Sequence, residues 1–253
     1  MKEFYESEKT DHAYVTQRVT RIIDNAAACH PRTVLDCGCG RGLILSLLRE
    51  QLPDARLVGT DISQGSVDQT RNKGFEAEVA DVSVHLPFDD EIFDCVVFGE
   101  LIEHLVDPDA ALVQIARVLK TGGTLILTTP NIACWENRIL LLFGIQPLFT
   151  ETSIHTNLGR IFQVTGQWYP TEGHLKVFTL RALLEMLDAN GFDIQNVYGT
   201  PFLRQPLAAQ VDAVISKIPA LATNISVVAR NRGTRRTHYA KASNERVRAA
   251  KWW

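Results

Sequence analysis

The chain has no hydrophobic run long enough to cross a bilayer. Its longest uninterrupted apolar stretch in mid-chain is Ile139 to Phe143, against the roughly 20 residues that a spanning helix requires. The amino end, MKEFYESEKTDH, has no apolar segment, so no secretory signal is visible. No CxxC pair occurs, and five cysteines is an odd number. That pattern argues against a disulfide scaffold and for a reducing compartment, with the cytoplasm as the expected location. No internal repeat is visible. What remains is ordinary in bulk: 253 residues, 45% apolar and 22% charged. These values exclude disordered and fibrous classes and leave room for one sizeable α/β domain.

A net charge of −3 conceals an asymmetry. From Arg230 onward there are eight Lys or Arg and one acid, Glu245, so this stretch carries +7 and the preceding residues −10. A basic tail on an acidic body implies either a solvated terminus or an anionic partner, a nucleic acid or a membrane surface. Tyr239, Trp252 and Trp253 would suit either surface, because aromatic rings lie well beside bases at both.

The order of elements follows one rhythm: a short apolar run, a polar or glycine break, then a helical stretch. Strands are expected at Thr33–Cys37, Arg56–Thr60, Glu76–Ala80, Phe93–Phe98 and Thr124–Thr128. Helices are expected at Leu43–Gln51, Ser63–Lys73 and Pro108–Leu119. An additional amphipathic helix, Ala13–Ala28, precedes them. After Thr129 the rhythm lapses for about fifty residues, then returns with the helix Leu180–Asn190 and strands near Asp193–Tyr198 and Ser226–Ala229. Strands joined by helix-length crossovers form a mostly parallel sheet covered on both faces. The expected architecture is a Rossmann-like α/β domain over residues 1–230, with a seven-stranded sheet. Residues 11–30 would form its first helix, 130–177 a helical lid for substrate recognition, and 231–253 the basic tail.

The most informative stretch is Val34-Leu35-Asp36-Cys37-Gly38-Cys39-Gly40-Arg41-Gly42, a strand running into a helix. Gly38, Gly40 and Gly42 permit close approach of a ligand at the carboxyl end of the first strand. The spacing is GxGxG, whereas a dinucleotide fingerprint places its third glycine one residue later. Asp36 would repel a diphosphate and attract a cationic amino group. Asp61 ends the second strand, where a carboxylate can accept from ribose hydroxyls. Asp81 follows the third strand, within reach of an adenine amine, with Ile62 and Val82 sandwiching the ring. A nucleoside joined to an amino acid describes S-adenosylmethionine. Each aspartate is alternatively a strand-end or helix-capping carboxylate.

Four stretches in order, VLDCGCGRG, GTDIS, ADVSVHLPFDDEIFDCVVFGELIEHL and LKTGGTLILTTPN, resemble the motifs of class I S-adenosylmethionine-dependent methyltransferases. GHLKVFTLRALLEMLDANGF is similar to one branch of that superfamily, the ubiquinone-pathway O-methyltransferases. The resemblance implies that Asp36, Gly38 and Gly40 hold the methionine end, Asp61 the ribose and Asp81 the adenine. Glu100 would line the methyl side. Cys37 and Cys39 stand too close together for an ordinary zinc pair and are read as small packing residues.

Methyl transfer needs a base or a metal only when the nucleophile arrives protonated, as a hydroxyl does. Glu100, Glu103 and His104 stand at i, i+3 and i+4, which would share one face of a helix. With His174 from across the elaboration they would suit Mg²⁺ or Mn²⁺. A similar set occurs in the ubiquinone-pathway branch and in the small-RNA 3′-terminal 2′-O-methyltransferases. Two alternatives stay open: His104 or His174 acts as general base without metal, or Glu103 merely orients His104 while His174 caps the helix near Thr179. The run Trp135–Phe143 is either core or a lid over a lipophilic substrate, with shallow membrane contact as the sharper form. Trp168 and Tyr169 are candidates for stacking on a flat acceptor, and His155 reads as a loop residue. The expected function is methyl transfer to a small-molecule hydroxyl. RNA 2′-O-methylation and a non-catalytic cofactor-binding scaffold are the alternatives, and a nicotinamide-dependent reductase is least favoured.

Overall fold

The computed structural model describes residues 17–156, 158–160, 172–202 and 206–233. Trp168, Tyr169, Tyr239, Trp252 and Trp253 lie outside the described residues, as does nearly all of the basic tail. A helix α1 (Gln17–Ala28) precedes the alternating series β1 (Thr33–Cys37), α2 (Leu43–Gln51), β2 (Arg56–Asp61), α3 (Gln64–Asn72) and β3 (Glu76–Val79). The series continues through β4 (Phe93–Gly99), α4 (Pro108–Val118), β5 (Leu119–Pro130) and α5 (Trp135–Leu142). It closes with α6 (Leu180–Ala189), β6 (Phe192–Thr200), α7 (Pro206–Ile215) and β7 (Asn224–Asn231). The strand bounds follow the expected ones, unchanged for β1 and shifted by at most five residues elsewhere. The expected first helix over 11–30 stops earlier, at Ala28, because the chain turns there with His30 in the left-handed region.

All seven strands form one sheet in the order β3-β2-β1-β4-β5-β7-β6. The first five strands pair in parallel, and β7 runs antiparallel between β5 and β6. The central strands are buried on both faces, which is why they read as continuous apolar runs rather than alternating ones. Successive residues nevertheless serve opposite layers. Val34, Val97 and Ile126 pack with Ile22, Ile23, Leu45 and Leu48 of α1 and α2. Leu35, Val96 and Leu125 pack with Leu112, Ile115, Leu183 and Leu187 of α4 and α6. Helices on both faces are thus set by the period-two alternation of the pleat.

The helix starts follow local chemistry. The Ser63 hydroxyl accepts from Ser66 N–H at α3, and the Thr179 hydroxyl accepts from Ala182 N–H at α6. Asp107 accepts from Ala110 N–H at α4, with Pro108 in the first turn. Thr179, not His174, therefore caps α6. Two helices are turned inside out. In α5 the buried residues are Glu136 and Asn137, while Ile139, Leu141 and Leu142 are exposed. In α7 Asp212 is buried and Val211 and Val214 are exposed. The core reading of Trp135–Phe143 is thereby corrected. Helix α7 was not expected from the sequence, because its inverted periodicity hides it.

Candidate active site

Strand β1 pairs with both β2 and β4, so the chain reverses its direction of travel across the sheet at this point. Such a switch opens a crevice beyond the carboxyl ends of the strands. The glycine loop lies at its mouth. Gly38 N–H and Cys39 N–H donate to the Thr60 carbonyl at 2.8 and 2.9 Å, and the Thr70 hydroxyl donates to the Gly40 carbonyl at 3.0 Å. Gly38 and Gly40 both have positive φ. A Cβ on Gly38 would stand 2.9 Å from the Leu101 side chain, whereas a Cβ on Gly40 would enter open space. The loop thus presents bare backbone to a ligand. Cys37 and Cys39 are buried as expected, and burial raises both thiols, Cys37 to about 12.

Asp36 is fully buried beneath this loop, and its Oδ2 has no hydrogen-bond partner among the described residues. Burial, with the nearby Asp61 carboxylate, pushes its pKa up to about 7. A buried carboxyl in this state gains from a cation placed against it. Asp61 is already at work: its Oδ2 accepts from Gly40 N–H and its Oδ1 from Ser63 N–H, each at 2.9 Å. A carboxylate has about four lone-pair sites, so these bonds leave acceptor capacity for a ribose. Ile62 is 52% exposed at the same strand end and offers an apolar face. Val82 is 6% exposed and packs with the core cluster behind the same strand end. Asp81 is exposed and accepts from Ser83 N–H at 2.8 Å, which fixes its carboxylate at the rim.

The segment after β4 departs from expectation. It is a single 3₁₀ turn, Ile102–His104, and Glu100 precedes it with φ of 51°. A non-glycine residue in the left-handed region costs of order 1–3 kcal/mol and tends to occur at functional sites. This geometry splits the expected metal set. Glu100 pairs with Arg18 of α1, a partner that sequence reasoning missed. Glu103 turns inward, where its Oε2 accepts from the Thr129 hydroxyl at 3.0 Å and its Oε1 is unpartnered among the described residues. Burial, reinforced by the Glu100 charge, holds its carboxyl well above the usual range.

His174 arrives from the far side of the elaboration. Leu175 N–H and Lys176 N–H donate to the Glu103 carbonyl at 2.8 and 2.9 Å, which lays residues 173–176 across the 3₁₀ turn. Glu151 accepts from Glu172 N–H and Gly173 N–H and holds the same loop. The rings of His104 and His174 then stand 4.8 Å apart. Their Nδ1 atoms face the carbonyls of Gly173 and Phe149 at 3.2 and 3.1 Å. A carbonyl only accepts, so Nδ1 of each ring carries a proton, and His174 Nε2 stands 3.5 Å from a carboxylate oxygen of Glu172. Burial and the neighbouring His174 lower the His104 pKa, keeping that ring neutral near pH 7. Glu103, His104 and His174 can each offer one ligand atom, all lying within 4.8 Å of one another. Glu100 is not part of that group, so three of the four expected donors converge.

Four oxygens at adjacent strand ends lack partners among the described residues: Asp36 Oδ2, Glu100 Oε1, Glu103 Oε1 and Thr128 Oγ1. A crevice so rich in acceptors fits a cationic ligand and disfavours a diphosphate. A family model described as a methyltransferase domain matches residues 10–197. The chain belongs to the S-adenosylmethionine-dependent methyltransferases. A probable S-adenosylmethionine-dependent methyltransferase of Mycolicibacterium smegmatis is 31% identical to it, with 72% of this chain and 67% of that protein covered. A ubiquinone biosynthesis O-methyltransferase of Hahella chejuensis is 31% identical over 44% of this chain and 48% of its own length. A solved S-adenosylmethionine-dependent methyltransferase from Archaeoglobus fulgidus shares the fold, with a TM-score of 0.57 at 19% identity over 90% of this chain and 98% of that one. The first curated relatives are matched over only 34% to 48% of their own lengths. No helix among the described residues is long and apolar enough to cross a membrane.

Proposed function

We propose that this protein transfers the methyl group of S-adenosylmethionine to a hydroxyl oxygen of a small, aromatic or lipophilic acceptor. The observation that carries the reading is the pair His104 and His174, whose Nδ1 atoms face backbone carbonyls beside the buried Glu103. Asp36, Gly38 and Gly40 would hold the methionine end, with the Asp36 carboxylate against the ammonium. Asp61 would take the ribose and Asp81 the adenine edge, while Ile62 covers one face of the ring. Glu100, strained and tied to Arg18, would border the methyl side. When bound, the cofactor supplies an electrophilic methyl and a neutral thioether leaving group. His104 Nε2 would take the hydroxyl proton as the oxygen–carbon bond forms, a contribution of about 10²- to 10⁴-fold for a placed base. Residues 130–177 would act as the acceptor-binding elaboration, and the names of the ubiquinone-pathway relatives support a lipophilic or aromatic acceptor.

A second reading is favoured by the spacing of the three donors and by the orphaned Glu103 Oε1. In it Glu103, His104 and His174 hold Mg²⁺ or Mn²⁺, which would lower the pKa of the acceptor hydroxyl. One experiment separates the two. Turnover is measured after dialysis against a chelator and after restoring divalent ions, for the wild type and His104→Ala. The base reading expects full turnover without metal and a loss of at least about 100-fold in the variant, with cofactor affinity intact. Loss on chelation, restored by Mn²⁺, selects the metal. Absence of any S-adenosylhomocysteine with a panel of phenols and quinols would leave a cofactor-binding scaffold instead. Five free cysteines support a cytoplasmic location. RNA 2′-O-methylation is the less favoured alternative, because the body outside the tail is acidic.

A further inference from the structure

Helices α5 and α7 are joined through Trp135 and Asp212 and share an unusual feature: each turns polar groups inward and apolar ones outward. The Trp135 indole N–H donates to Asp212 Oδ1 at 3.1 Å, and Trp135 N–H donates to the Leu221 carbonyl at 3.0 Å. Glu136 is buried against the Thr223 hydroxyl at 2.7 Å. Both acids of the pair are therefore consumed inside. Outside stand Ile139, Leu141 and Leu142 of α5 with Phe143 just after it, and Val211 and Val214 of α7 with Ile218 beyond its end. Leu142 is 82% exposed, Phe143 75% and Val214 64%, so these side chains protrude rather than line a groove. Large apolar side chains left this exposed along one helix face mark an interaction site.

The exposed charges decide the partner. Between Trp135 and Thr150 the exposed ionisable group is Arg138, and between Gln210 and Leu221 it is Lys217. Both are cations, on a body that carries −10 before Arg230. A second copy of the chain would set these cations against each other, whereas an anionic lipid surface attracts them while its acyl boundary accepts the protruding side chains. The patch also adjoins the candidate site. The Phe149 ring stands 5.9 Å from Phe202 beside α7, and the Phe149 carbonyl holds His174.

We propose that the α5–α7 face docks this protein on an anionic bilayer surface, with Leu142 and Phe143 inserted into the headgroup boundary and Arg138 and Lys217 on the lipid phosphates. The inference does not depend on the acceptor or on a metal. Flotation of the full chain with phosphatidylcholine vesicles, with and without phosphatidylglycerol, tests it. Wild type is expected to float with the anionic vesicles, and the exposed double variant Leu142→Glu/Phe143→Glu to bind them at least about 10-fold more weakly, from lost burial alone. Val214→Asp should weaken binding in the same direction. Heat of S-adenosylhomocysteine binding, unchanged in each variant, certifies the fold. Failure of the wild type to float overturns the proposal. So does a double variant that floats equally well, because lipid binding then belongs to the basic tail. Light scattering that finds a dimer dispersed by Leu142→Glu/Phe143→Glu, without lipid binding, overturns it in favour of a second copy.

Discussion

Asp36 concentrates the electrostatics of the cofactor end into one atom. It is buried, it lacks a partner for Oδ2 among the described residues, and its pKa stands at about 7. The sign of its pH effect follows from that rise. The folded, ligand-free protein holds this proton more tightly than the unfolded chain does, so its contribution to stability is present at low pH. That contribution is lost as pH rises from about 4 through about 7. Cofactor binding runs the other way, because an ammonium requires the carboxylate. Calorimetric affinity for S-adenosylhomocysteine should therefore climb as pH rises through about 7. Asp36→Asn should weaken it by about 10- to 100-fold, the worth of a charge-assisted hydrogen bond, and flatten the pH dependence. The His104 pKa is shifted the other way, downward, so the ring stays neutral as pH falls and a rate that depends on it should decline only in acidic buffer, below the range in which Asp36 titrates.

At the scale of elements, the loop and strand β2 are fitted to each other as closely as van der Waals contact allows. A Cβ placed on Gly59 of β2 would stand 2.7 Å from Cys39 Sγ and 2.9 Å from its Cβ. Gly59→Ala should accordingly cost about 1–3 kcal/mol in urea denaturation, with a further loss of cofactor affinity as the glycine loop is displaced. The parallel strands β1, β2 and β4 were legible because strands buried on both faces leave uninterrupted apolar runs punctuated by glycine and aspartate. Their ends were legible for the same reason, and so the residue pattern alone places Asp36, Asp61 and Asp81 along one sheet edge. The 3₁₀ turn after β4 was not legible. Whether Glu103 faces inward depends on Thr129 and on a distant loop, Leu175 and Lys176, that bonds to its carbonyl. The Arg18–Glu100 pair likewise joins positions 82 apart in the chain.

Across the whole molecule the two ends of the sheet are kept separate. Strand β7 begins at Asn224 beside Pro130, at the edge that carries the site, and ends at Asn231 beside Phe192, at the opposite edge. Asn231 there donates to the carbonyls of Ala116 and Leu119, and Arg232 pairs with Asp188 and Asp193. Those bonds tie the first residues of the basic tail, Asn231 and Arg232, to the domain. Truncation after Gly233 should therefore leave the thermal midpoint and cofactor affinity unchanged within error. Any binding of short RNA at low salt should vanish with the same truncation, and RNA binding that survives it would move that function onto the acidic body.

What the sequence determined alone was what depends on neighbours along the chain: the βα rhythm, the glycine loop, and the carboxylates at strand ends. Tertiary structure decided which distant groups meet. It brought His174 to His104, gave Glu100 to Arg18, and turned α5 and α7 so that their acids face inward and their aliphatic side chains face out. The reason is physical. Backbone propensity and burial period act over a few residues, whereas the partner of a buried charge is chosen by packing among elements, and nothing in local order records that choice.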